Sequence, residues 1–417
     1  MDKLTYIKTA ARQMLEGNII PFWLRLMDKE YGGFYGYMDY NLNLDRRAEK
    51  GCILNSRIMW FFSEAAMLFD SEGKSAFASS CREGADHAYA FLKDHCLDRV
   101  NGGVYWSMTY DGKPLDSTKH TYNQAFACYA LGSYYRLTGN EEALEIARDI
   151  YAVIESHLTD EIGYLEAFTV DFKPQSNEKL SENGVLADKT MNTLLHVMEG
   201  YAGLYEAELC YVSRHHTDDA AAFAQVDAPR AHLEKTLRRV FMIYAEKIYS
   251  PELRRNLVFF DSQYRSILDL YSYGHDIESS WLADWAVDLL ADPVLSKQVH
   301  DIDQVLADHV FEEAFDGSSL ANECEKGKVD ETRIWWVQAE TVLGFLNQWK
   351  KTGNEGFLDA ACSCMHYIED KMVDPREGSE WFWSLTKDGV PIEKPIVEPW
   401  KCPYHNGRLM IRALKNY

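Results

Sequence analysis

Two stretches of this chain each set a histidine among aromatic and charged side chains: Ser272-Tyr273-Gly274-His275-Asp276-Ile277-Glu278-Ser279-Ser280-Trp281 and Trp400-Lys401-Cys402-Pro403-Tyr404-His405-Asn406-Gly407-Arg408. Imidazole has an ordinary pKa of about 6.5, so it can take or give a proton near neutrality. The two stretches look like two halves of one sugar site. Trp and Tyr offer stacking faces while Arg, Asn, Gln and Glu offer directed hydrogen bonds, which is the chemistry of a carbohydrate pocket. Glu278 lies three residues after His275, so on a helix the carboxylate shares its face and could orient the ring. A structural ion pair is the competing reading, and a second histidine in a matching setting turns the balance towards chemistry.

Each histidine follows an aromatic segment and opens a helical pattern, and that aromatic segment recurs. Clear copies begin at Gly32, Gly102, Gly163 and Gly378 (for example Gly32-Gly33-Phe34-Tyr35-Gly36-Tyr37), and weaker ones at Asn256 and Gly317, with adjacent clear copies about 60 to 70 residues apart. Such a period is the mark of a repeat architecture. Between copies lie paired helical stretches such as 141–151, with apolar residues at spacings of three and four. The corners Leu137-Thr138-Gly139-Asn140-Glu141 and Lys351-Thr352-Gly353-Asn354-Glu355 end one helix on Gly and start the next with an Asn cap. Six units of helix, short hairpin and helix predict an all-α, single-domain (α/α)6 barrel over 1–417. About twelve helices would form an inner and an outer ring, each hairpin leading into its inner helix. The N-terminal ends of the inner helices would then surround one pocket.

Those starts read Asn55-Ser56-Arg57, then Lys119-His120-Thr121-Tyr122-Asn123-Gln124, Lys189-Thr190-Met191-Asn192 with His196, His275 with Glu278 and Trp281, Arg333 to Glu340, and Tyr404 to Arg408. Arg57, among Ile53, Leu54, Ile58 and Met59, is costly to bury unpaired, so a carboxylate or a ligand oxygen should meet it. His196 reads equally as a substrate contact or a satisfied core histidine, and His120 as a helix-start hydrogen bond. Adjacent Trp335 and Trp336 would point about 100° apart, so only one should face the pocket squarely. His215 and His216 fall in a polar stretch that reads as a solvated loop.

With 65 acidic against 43 basic residues, the net charge of −22 argues against nucleic acid as a partner. No apolar run reaches the roughly 18 residues of a membrane span, and the start of the chain lacks a signal core, which together predict a cytoplasmic protein. Nine cysteines without framework spacing read as reduced thiols rather than as disulfides or a zinc site. No Gly-rich phosphate loop is present.

The two histidine motifs, the Trp-Trp-Val-Gln-Ala-Glu core of 335–340, Gly32 to Gly36, Lys119 to Asn123 and Ser181-Glu182-Asn183-Gly184 together resemble the cellobiose 2-epimerases over nearly the whole chain. The glycine-aromatic segments are shared with the wider N-acylglucosamine 2-epimerase superfamily. The resemblance implies an (α/α)6 barrel that inverts C2 of the reducing-end glucose of β-1,4-linked disaccharides such as cellobiose and lactose, and the chain is expected to act as a monomer. It implies no metal and no nucleotide cofactor. It makes His275 and His405 the acid/base pair and gives Arg57, His196, Glu278, Trp281, Trp336, Glu340 and Trp400 the task of shaping the pocket or holding sugar; the choice of Trp336 over Trp335 rests on it alone. Tyr122 and Asn192, at inner-helix starts, complete the set expected to hold sugar. Rival expectations are a monosaccharide isomerase or N-acetylglucosamine 2-epimerase, a glycoside hydrolase using Glu278 and Glu340, and a non-catalytic sugar-binding scaffold.

Overall fold

The computed structural model describes residues 2–179 and 184–417. The Ser181-Glu182-Asn183 part of the Ser181 to Gly184 motif therefore lies outside the described residues. Helices α1 (Lys3–Met14), α2 (Ile20–Arg25), α3 (Cys52–Ser71), α4 (Ser75–Phe91), α5 (Thr121–Thr138), α6 (Glu141–His157), α7 (Met191–Arg214), α8 (Ala220–Ile243), α9 (Tyr273–Asp288), α10 (Pro293–Glu313), α11 (Trp335–Thr352), α12 (Glu355–Tyr367) and α13 (His405–Asn416) follow one another along the chain. A π-helical turn over Leu15–Ile19 joins α1 to α2, so the two serve as one outer helix.

Helices α3, α5, α7, α9, α11 and α13 pack each on the next, and α13 returns to α3. Helices α4, α6, α8, α10 and α12 lie outside α3, α5, α7, α9 and α11, while α1 lies against α13 and α12. This is the predicted double ring. Its two layers differ in sequence as their surroundings require. Inner α5 (TYNQAFACYALGSYYRLT) is buried around almost its whole circumference, whereas outer α6 buries only the stripe Ala143, Leu144, Ile146, Ala147, Ile150 and Ile154. Small residues let inner helices approach closely: a Cβ on Gly200 of α7 would stand 2.6 Å from the Ala125 carbonyl oxygen of α5. The two predicted corners form as expected. Gly139 and Gly353 take φ of +74° and +69° after α5 and α11, and the Asn140 and Asn354 side chains accept from Ala143 N–H and Gly356 N–H at the next helix starts.

The strands differ from the expectation that each hairpin leads into its own inner helix. The two or three residues before an inner helix pair with the aromatic segment of the following unit. Lys50–Gly51 pairs with Ser107–Met108, Lys119–His120 with Ala167–Phe168, Lys189–Thr190 with Phe259–Phe260, Leu270–Ser272 with Glu323–Glu325, and Arg333–Ile334 with Ser384–Leu385. Met38 pairs with Val397, joining the last unit to the first. The strand edges are thereby used between units, leaving them stapled around the ring.

Buried polar side chains at the inner-helix starts reinforce these staples. In four units an aspartate in the turn before the aromatic segment meets a cation just ahead of the inner helix: Asp28 with Lys50 at 2.6 Å, Asp98 with Lys119 at 2.9 Å, Asp160 with Lys189 at 2.5 Å and Asp316 with Arg333 at 2.7 Å. The Asn55, Gln124 and Gln338 side chains accept from the backbone N–H of Phe34, Val104 and Leu320. These side chains, expected to offer hydrogen bonds to sugar, are spent on the scaffold. All nine cysteines are free, and no helix among the described residues is long and apolar enough to cross a membrane.

Candidate active site

Because every inner helix starts on the same side of the ring, the first turns of α3, α5, α7, α9, α11 and α13 border one cavity that opens at that end. Arg57, Tyr122, Asn192, His196, His275, Glu278, Trp336, Trp400 and His405 all border it, as do Trp335 and Trp383. The two tryptophans expected to diverge thus both reach the cavity, Trp336 half-buried and Trp335 buried against Trp383 with ring centres 5.0 Å apart. Trp336 sits between the two histidines, its ring 4.8 Å from His275 and 5.4 Å from His405.

Each of these histidines has one ring nitrogen engaged. Nδ1 of His275 meets the Ser272 hydroxyl at 2.7 Å, and Nδ1 of His405 lies 2.7 Å from Glu340 Oε1. A carboxylate can only accept, so His405 carries its proton on Nδ1 and turns an unprotonated Nε2 away from Glu340. Burial pushes the His275 pKa down to about 3, helped by His196. Burial first, and then the positive charges of Arg408 and Arg57, hold His405 well below the ordinary imidazole value. Both rings are therefore neutral bases at pH 7.

Glu278 does not pair with His275 as the three-residue spacing suggested. Its Oε1 accepts from Arg408 and lies 3.8 Å from Nδ1 of His405, while its Oε2 is buried without a partner. Burial and the neighbouring Glu340 push its pKa up to about 7 against the pull of Arg408. The histidine that does pair three residues on is His196, whose Nδ1 lies 2.8 Å from Glu199 Oε2.

Arg408 organises this floor. Its guanidinium is fully buried and donates to Glu199 at 2.6 Å, to Glu340 at 2.7 Å, to Glu278 and to the Tyr404 hydroxyl at 2.5 Å, with the Trp281 ring 4.8 Å away. Ligand atoms of Glu278, Glu340 and His405 lie within 4.8 Å of one another, as in a metal cage, and a guanidinium nitrogen bonds both carboxylates there. Burial raises the Glu199 carboxyl, but Arg408, His196 and Tyr404 outweigh it and bring its pKa down to about 2. Trp281 and Glu340 do not border the cavity as sugar contacts would. The Trp281 indole donates to Glu340 Oε2 at 2.9 Å, and Glu340 in turn holds His405, so both act on the cavity through that histidine.

Arg57 meets a phenol but no carboxylate among the described residues. It donates to the Tyr122 hydroxyl at 2.6 Å and lies 4.2 Å from the Phe126 ring centre, its Nε is buried without a partner, and no carboxylate pairs with it among the described residues. Burial of an unpaired guanidinium is costly, and a substrate oxygen would relieve that cost. His120 makes no helix-start hydrogen bond: both its nitrogens are without partners, and its ring packs 4.8 Å from Trp106. His215 and His216 lie far down the chain from these helix starts, at the end of α7.

The sequence pattern alone does not single out Arg408, Glu199 and Tyr404 as site residues. Arg408 and Tyr404 stood inside the quoted motif, and Glu199 had the same spacing from His196 that drew attention to Glu278.

The N-acylglucosamine 2-epimerase family model matches residues 33–193 and 230–407, which hold Arg57, Tyr122, Asn192, His275, Glu278, Trp281, Trp336, Glu340, Trp400 and His405. The chain belongs to that family. This N-acylglucosamine 2-epimerase family member is 48% identical over 404 residues to a cellobiose 2-epimerase of Eubacterium cellulosolvens, with 97% of each chain covered. Among solved structures, it matches a sugar epimerase from a ruminal bacterium with a TM-score of 0.90 and 42% identity, covering 98% of this chain and 99% of the other. It matches the cellobiose 2-epimerase of Bacillus thermoamylovorans with a TM-score of 0.88 and 39% identity, covering 99% and 100%. Membership makes the protein an isomerase of the epimerase kind, built on the α/α barrel of these relatives.

Proposed function

We propose that the protein interconverts the two C2 epimers at the reducing-end sugar of β-1,4-linked disaccharides, taking cellobiose to 4-O-β-glucosyl-mannose and lactose to epilactose. The observation that carries this reading is the pair of neutral imidazoles set on either side of Trp336, beside an unpaired buried arginine. The cellobiose 2-epimerases among its relatives support the disaccharide.

The reaction begins with ring opening, because only the open aldehyde makes the C2 proton acidic. His405 takes the O1 proton while protonated Glu278, which borders the cavity and whose Oε2 has no partner, gives a proton to O5 as the C1–O5 bond breaks. His405 is now an imidazolium and His275 is neutral. His275 removes the C2 proton, the electron pair moves into the C1–C2 bond, and the resulting oxyanion on O1 faces Arg57. The imidazolium of His405 returns a proton to the other face of C2. In closure the histidines exchange roles, the proton on His275 going to O1 and the O5 proton to Glu278, so that every group regains its starting state. Protonation at C1 instead of C2 would give a ketose, the expected side product.

Incubation with cellobiose in heavy water, followed by NMR, tests this. Deuterium at C2 of the reducing-end ring together with glucosylmannose is the expected result. Release of free glucose would make the protein a hydrolase, and unchanged cellobiose would overturn the disaccharide reading.

A further inference from the structure

The floor groups account for one sugar ring. In a pyranose, C1, C2 and O5 lie at one end and C4 at the other, so with the reacting end at His275 and His405 a substituent on O4 must extend towards the cavity mouth. A row of aromatic rings leads away from Arg57, of which Tyr122 and Trp400 border the cavity. From Arg57 it passes through Tyr122 to Trp400, with ring centres 6.0 Å apart, and from Trp400 to Trp106 at 5.8 Å. Lys179 stands at the far end of that row and borders the cavity, with its ammonium 4.9 Å from the centre of the Trp106 ring.

Lys179 is held there from another unit. It follows the third aromatic segment, yet its ammonium pairs with Asp116 of the Pro114–Asp116 strand in the second. The two side chains keep about 28% and 30% of their surface exposed, as a contact at an opening should. An ammonium has three donors, so with one on Asp116 two remain for hydroxyl oxygens. Trp106 beneath it offers an apolar ring face, and the neighbouring His120 ring, tilted against it, is kept neutral, its pKa lowered to about 3 first by burial and then by Lys179. The rim thus combines a fixed donor with aromatic surface, the pairing that recognises a sugar.

We infer that Lys179, fixed by Asp116 across Trp106, recognises the second, non-reacting sugar ring by donating hydrogen bonds to its hydroxyls, and so sets the preference for a disaccharide. The inference rests on the function proposed above. Loss of a hydrogen bond from a charged donor should lower affinity about tenfold or more.

Lys179→Met keeps the stem over Trp106 and removes the donor. Steady-state rates with cellobiose should show KM raised about tenfold or more with kcat within about twofold, and Lys179→Arg should restore most of the loss. Deuterium exchange at C2 of glucose, which lacks the second ring, should be the same in wild type and Lys179→Met. An unchanged KM for cellobiose, or a loss confined to kcat, would overturn the role of Lys179 while leaving the epimerase reading intact. A wild-type protein that ignores cellobiose yet exchanges C2 of glucose would instead remove the disaccharide reading itself.

Discussion

Replacing Glu278 with Gln should make the protein more stable in alkali and nearly inactive everywhere. Glu278 is wholly buried, one oxygen bonded to Arg408 and the other without a partner, and burial with the neighbouring Glu340 pushes its pKa up from the ordinary 4.5 to about 7. A carboxyl whose folded pKa is raised binds its proton more tightly when folded. Its stabilising effect is therefore complete below pH 4.5 and is lost as pH rises through 7. At about 1.4 kcal/mol per tenfold change in proton affinity, the gap amounts to about 3 kcal/mol by pH 8.5. Glutamine copies the protonated acid, since its carbonyl can still accept from Arg408 and it never ionises. Urea denaturation followed by circular dichroism should find the two proteins alike at pH 4.5 and the variant up to about 3 kcal/mol more stable at pH 8.5, or about 3 °C in Tm for a chain of this length. Turnover should fall by about a hundredfold or more, because glutamine cannot give a proton to O5, and the fall of the wild-type rate above pH 7 should vanish from what remains. Equal stability differences at both pH values, or a variant weaker at pH 8.5, would show that Glu278 is ionised in the folded protein and would refute the proton inventory given to the site.

Other changes test other parts of the argument. His275→Ala and His405→Ala should each lower turnover of cellobiose by about a hundredfold to ten-thousandfold while leaving the far-ultraviolet circular dichroism spectrum unchanged, and substantial epimerisation by either variant would remove the two-base scheme. Arg408→Met leaves Glu199, Glu278 and Glu340 buried without their shared cation, so urea melts at pH 7 should show a loss of about 3–5 kcal/mol. Gly200→Ala drives a methyl to 2.6 Å from the Ala125 carbonyl oxygen, and should lower stability by about 1–3 kcal/mol in the same assay; a neutral result would mean that α5 and α7 can move apart freely.

The double ring could be read from sequence because its devices are local. A Gly-Asn corner at 139–140, an apolar stripe on 141–154 and a recurring Gly-aromatic segment each follow from their own neighbourhood. The histidines could be found for the same reason, each standing in the first turn of a helix that opens on the cavity. What escaped was decided across units. Helical spacing places Glu278 on the face of His275, but the guanidinium of Arg408, 130 residues away, takes the carboxylate instead. Spacing cannot say which of Asn55, Gln124 and Gln338 point to a sugar, because the backbone groups they satisfy belong to segments 18 to 21 residues earlier in the chain. Trp281 and Glu340 were recognised as belonging to the site, though their place behind His405 depends on packing around Arg408.

The pairing of Met38 with Val397, together with the packing of α1 on α13, gives the chain a property that has little to do with catalysis. A closed ring has no privileged starting unit. The described ends of the chain lie close to neighbouring elements on the side away from the cavity, where Lys3 pairs with Asp359 near the start of α12 and Lys350 at the end of α11 donates to the Asn416 carbonyl. Joining these ends by a short flexible linker and reopening the chain at the exposed Gly353 corner should yield a circular permutant in which α12 becomes the first helix and the same six inner helix starts still converge.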